Sequence, residues 1–197
     1  LPAVFEQEGE DRSYAAFYAQ PYDDPAAVKV CADFFRQLVE GLNARHPDLP
    51  VPVRLIPAGE VFARLDRKIR ARDVPGIDAF FARNHRYYSD SRKSSKTKGI
   101  YDPDAFDPDY GIINVYADNI HLNDQPHNGP TEGAIGSYIA ALTVFATLSG
   151  QSPVGLTAAP YEQFDPEADA ALIRALQEAV WETVAGHPLT GVAPAGR

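Results

Sequence analysis

At 197 residues, 45% hydrophobic and 23% charged, the chain is of single-domain size and holds enough apolar side chains to bury a core. Its net charge of −9 is uneven: residues 1–100 hold 16 Lys/Arg against 14 Asp/Glu, and residues 101–197 hold 2 against 13, an acidic half that argues against nucleic acid as the main partner. No apolar run reaches the roughly 18 residues a membrane helix needs, and the single cysteine, Cys31, excludes an internal disulfide.

Along the chain, Val4 and Phe5 in "LPAVFEQ" predict the end of a buried strand. A loop rich in acids and tyrosines follows. Asp24-Pro25 then announces a helix, with an N-cap acid and proline at the first helical position. Val28, Cys31, Phe34, Phe35, Leu38 and Leu42 recur at helical spacing and predict one inward stripe. "LPVPVRLIP" reads as a short strand between prolines, carrying Val51, Val53, Leu55 and Ile56. "AGEVFARLDRKIRARDVPG" is a second amphipathic helix, with Val61, Phe62, Leu65 and Ile69 inward.

The basic stretch 83–98 reads as a solvated loop, with an anion-binding lip as the sharper alternative. Asp102, Asp104, Asp107 and Asp109 invite a calcium reading, but they lack the spacing of an EF-hand loop and sit among Asp-Pro turns. "IINVYA" (112–117) is strand-like. Residues 132–150 form a strongly apolar helix closed by Gly150. Residues 165–187 form a last helix with Leu172, Leu176, Val180 and Val184 inward, and 188–197 a loose tail. Short strands alternating with helices predict a single α/β domain over 1–197.

The chemistry concentrates in "YADNIHLNDQPHN" (116–128), where Asp118, His121, Asp124 and His127 fall at every third position. These residue types can ligate a metal, but four positions spaced by three cannot face one ion from a helix, and Pro126 disfavours a helix there. The alternative is catalytic. A carboxylate beside an imidazole orients the ring and stabilises its protonated form, so that the imidazole serves a hydroxyl nucleophile as general base. Asp118 and His121 suffice for that role. Asp124, His127 and Tyr116 then become substrate-binding residues at the lip.

The segment from Tyr116 to Leu156 resembles the last motif block of SGNH (GDSL-like) hydrolases, in which Asp-x-x-His follows the final strand and a glycine-containing apolar helix packs behind it. Asp118, His121, Gly133, Gly136 and the helix to Leu148 keep that order. The resemblance implies a three-layer α/β/α fold with a mainly parallel sheet. It also implies ester hydrolysis through serine with His121 as base and Asp118 as its orienting acid, needing no cofactor and no metal. The substrate would be a small-molecule or carbohydrate ester.

The chain departs from the pattern at the nucleophile and at an oxyanion donor. It holds no Gly-Asp-Ser, none of its serines has a clear strand–turn–helix setting, and Gly9 is followed by Asp11 where the family has asparagine. The chain also begins at Leu1 and contains no Met. Together these lead to the expectation that the nucleophile lies upstream, with a companion N-terminal fragment as partner if the chain is cleaved. Two other readings compete: a non-catalytic binding or structural protein that keeps the fold, and a metal-dependent enzyme using Asp118, His121, Asp124 and His127.

Among the remaining residues, Trp181 reads as core, and His46 and His187 as structural groups at helix C-termini, where a cation is favoured. Tyr14, Tyr18, Tyr22, Tyr87 and Tyr88 could stack on sugar rings or simply pack.

Overall fold

In the computed structural model, residues 13–23, 31–84, 108–115, 135–161 and 163–193 are described. They form helices joined by turns: α1 (Tyr14–Tyr18), α2 (Ala32–Arg45), α3 (Ala58–Arg70), α4 (77–84), a 3₁₀ segment (Pro108–Val115), α5 (Ile135–Ser149) and α6 (Ala170–Gly186). No strand occurs among the described residues. The expected α/β fold, three layers around a mainly parallel sheet, is therefore corrected to a helical one over these residues.

The reasons are local. The apolar run 51–56 has no regular secondary structure and pairs with no sheet. Pro50, Pro52 and Pro57 have no N–H to give a ladder. Of the remaining donors, Val53 N–H goes to Asn43 Oδ1 (2.7 Å) and Leu55 N–H to the Leu189 carbonyl (2.9 Å). Asn43 Nδ2 returns a bond to the Val53 carbonyl at 3.0 Å, so one side chain of α2 stands in for a neighbouring strand. In "IINVYA", Ile112 is buried as a strand residue would be, yet its N–H is taken by the Asp66 carboxylate at 2.8 Å. Residues 116 and 117, and the expected strand at Val4–Phe5, lie outside the described residues.

Helix α3 is the hub: α1, the 3₁₀ segment, α5 and α6 all pack on it. Val61, Phe62, Leu65 and Ile69 face inward as the periodicity predicts, and Leu172, Leu176, Val180 and Val184 of α6 meet them in the same core. Each such buried side chain contributes about 1.5–3 kcal/mol. Trp181 is half-buried against that core. In α5, which carries no charged residue, Thr143 and Thr147 sit in the interior because each hydroxyl donates to the carbonyl one turn back, both at 2.8 Å.

Regular α6 begins at Ala170, later than Asp165-Pro166 suggests. Asp165 instead caps the preceding turns, accepting the Glu167 and Ala168 N–H groups at 2.9 Å each. Those two backbone donors hold its carboxyl below the usual carboxylate range.

The stripe expected on α2 is not the buried one. Leu38 is 45% exposed, Phe34 and Phe35 are half-buried, and Val39 is the buried residue of the helix. Cys31 is buried just ahead of it. At the other end of the chain, Thr190, within the stretch read as a tail, is fully buried, and Val192 packs against the core.

Candidate functional site

Tyr116, Asp118, His121, Asp124 and His127 all lie outside the described residues. What is described is the pair of elements that flank them. On the upstream side, the 3₁₀ segment is fixed to α3 by the buried carboxylate of Asp66. Its Oδ1 accepts Ile112 N–H (2.8 Å), and its Oδ2 accepts Ala15 N–H (3.1 Å), a donor at the start of α1. Arg70, one turn along α3, approaches the same carboxylate through Nε at 3.3 and 3.4 Å, and its Nη1 donates to the Asp109 carbonyl.

A carboxylate with no solvent access is tolerable only when its lone pairs are filled and its charge is matched. Here one arginine and two backbone donors do both. Gly111 completes the arrangement. Its φ is +56°, and a Cβ there would fall 2.0 Å from Asp66 Oδ1. On the downstream side, Ile135 opens α5 fully buried, in the same core as Ile112.

Three of the four described serines, all but Ser137 of α5, are engaged in local backbone bonds. Ser13 Oγ accepts Ala16 N–H at the start of α1 (3.0 Å), Ser149 Oγ donates to the Phe145 carbonyl (2.7 Å), and Ser152 Oγ accepts Val154 N–H (3.3 Å). Ser89, Ser91, Ser94 and Ser95 are outside the described residues, as are Tyr87, Tyr88 and the aspartates 102–107. Arg83, the first residue of the basic stretch, pairs with the buried Asp169. Among the described residues no group of His, Cys, Asp and Glu is arranged to hold a metal.

Two of the tyrosines considered as sugar platforms pack instead. Tyr14 and Tyr18 are buried and stack on one another with ring centroids 5.6 Å apart. Tyr22 meets Phe34 edge-on at 5.1 Å.

Two polar groupings have no counterpart in the sequence reading. Gln177, inside α6, has its amide filled: Nε2 donates to Tyr138 Oη (2.8 Å) and the Leu156 carbonyl (2.7 Å), and Oε1 accepts Gly155 N–H (2.8 Å). The second grouping joins three elements. Tyr18 Oη donates to Glu60 Oε2 at 3.2 Å, and Glu60 Oε1 stands 3.7 Å from His187 Nε2. Tyr18 reaches Glu60 because Gly59 is beneath its ring; a Cβ at 59 would lie 2.2 Å from Tyr18 Cζ. Burial pushes the Tyr18 phenol well above its ordinary range, and the Glu60 carboxylate adds to the rise. No helix among the described residues is long and apolar enough to cross a membrane. No family model matches the chain, and neither a curated protein nor a solved structure matches it.

Proposed function

We propose that the chain carries the general-base half of a serine-type ester hydrolase, with His121 taking the proton of a serine hydroxyl and Asp118 orienting its ring. Acyl transfer to that hydroxyl forms an ester intermediate, which water then cleaves. His121 returns the proton to the leaving alcohol in the first step and activates water in the second. Asp124, His127 and Tyr116 lie close enough in sequence to contact the substrate at the lip. The serine is supplied from outside this chain, which holds no Gly-Asp-Ser.

The reading is carried by the Asp118–His121 spacing in a segment whose flanks, at Ile112 and Ile135, belong to one core. Ile112 and Ile135, on either side of the segment that carries the carboxylate and the imidazole, are both buried in that core.

The test is p-nitrophenyl acetate hydrolysis by the full gene product. His121→Ala is expected to lower kcat by about 100- to 10,000-fold, the usual contribution of a positioned base. Asp118→Asn should fall with it. Activity that survives His121→Ala sinks the assignment. The helical architecture of the described residues favours a second reading, a non-catalytic binding scaffold. That reading predicts no turnover in the full product and no effect of either substitution.

A further inference from the structure

His187 follows the last turn of α6, with a hydrogen bond on one ring nitrogen and a carboxylate facing the other. Nδ1 accepts the N–H of Leu189 at 3.2 Å, and Nε2 faces Glu60 Oε1 of α3 at 3.7 Å. A nitrogen that accepts an N–H carries no proton, so the geometry belongs to a neutral ring with its hydrogen on Nε2. An imidazolium has two donors and no acceptor. Ring protonation and the Leu189 bond therefore exclude each other.

The turn held by that bond ties two parts of the molecule together. The Leu189 carbonyl accepts Leu55 N–H at 2.9 Å, from the segment that leads into α3. Thr190, fully buried, places Oγ 2.9 Å from the carbonyls of both Val184 and His187 and accepts Val192 N–H at 3.2 Å. Beside the ring, a cleft of about 310 Å³ is lined by Glu60, Arg64, Arg67, Glu182 and His187 itself. Glu182 is paired with Arg64. Glu60, which also receives the Tyr18 hydroxyl, is the acid that faces Nε2.

We propose that His187 is a proton-operated latch on the C-terminal turn. Neutral, it holds Leu189 and, through it, Leu55. Protonated, it surrenders the Leu189 N–H and directs its charge to Glu60, so the turn at 187–192 loosens on acidification while the ring stays against α3. Asparagine at 187 can accept the same N–H two residues on, as in an Asx-turn, and does not titrate. It should act as a latch fixed shut.

Peptide-resolved hydrogen exchange on the full chain at pH 8 and pH 5, expressed as protection relative to the unfolded chain, tests the idea. Wild-type protection at 187–193 is expected to fall about three- to tenfold at pH 5, the equivalent of one lost hydrogen bond, with α3 unchanged. His187→Asn should keep its protection at both pH values. The latch is overturned by wild-type protection that does not change, by an equal fall across α3, or by the wild-type pH response in His187→Asn. Nitrogen chemical shifts of the wild-type ring decide independently of any variant: a neutral ring protonated on Nδ1 also overturns it.

Discussion

Asp66 lies one residue after Leu65 and three before Ile69, a charge set into the apolar stripe of α3. That placement was legible in "VFARLDRKIR" as an acid where the pattern calls for a hydrophobe. Its partners were not, because Ala15 and Ile112 are 51 and 46 residues away. Asp66→Ala strands both backbone donors and leaves Arg70 unmatched, so urea denaturation should report a loss of about 3–5 kcal/mol. Gly111→Ala should cost about 1–3 kcal/mol or more through its positive φ and the approach of Asp66; a change within about 0.5 kcal/mol for either variant contradicts the clamp. The tyrosines give the pH dependence at this scale. Burial raises Tyr18, Tyr138 and Tyr161, which favours the neutral phenol in the folded state. Their contribution is complete below the unfolded value of about 10 and is lost as pH climbs above it. Ultraviolet titration should therefore show the phenolates of the buried Tyr18 and Tyr138 appearing only with alkaline unfolding, and early ionisation of all ten tyrosines would contradict the burial of those two.

At the scale of elements, periodicity located α3 and α6 and named their inward faces, because each is covered on a broad side by another helix, and the apolar run 132–150 located α5 without naming a face. It misjudged α2, whose sequence carries a stripe through Phe34, Phe35, Leu38 and Leu42. A stripe says that one face is apolar; only the neighbours decide which positions are covered. The two positions beside each other on that helix separate the readings. Leu38→Ser should change stability by less than about 0.5 kcal/mol, as at an exposed position. Val39→Ala should cost about 2 kcal/mol for two buried methyl groups and the space they leave. The reverse order in urea denaturation would restore the sequence-based face. The strands failed for a different reason. Runs such as 51–56 and 112–115 are too short for period to tell a strand from an irregular or 3₁₀ segment, and what settled them was the capture of the Val53 and Ile112 N–H groups by Asn43 and Asp66.

For the whole molecule, composition foretold a core, and no helix among the described residues is long and apolar enough to cross a membrane, while Asp118 and His121 were legible as a chemical pair without their setting. His187 was read as a structural group at a helix C-terminus; the Leu189 N–H on its Nδ1 is a contact that needed the turn as well as the helix. Because α3 touches α1, the 3₁₀ segment, α5 and α6 alike, these elements should not unfold in separate steps. Trp181, the single tryptophan, reports on the α6 side of α3, whereas far-UV circular dichroism reports on all the helices. Their urea transitions should coincide, as in a two-state unit. Asp66→Ala provides the sharper form of this prediction, since Asp66 bonds α1 and the 3₁₀ segment and not α6. If α3 couples the two sides, the variant moves the Trp181 midpoint as far as the dichroism midpoint. If the α1–3₁₀ side and the α5–α6 pair are independent, the dichroism transition splits and the Trp181 transition stays at its wild-type position.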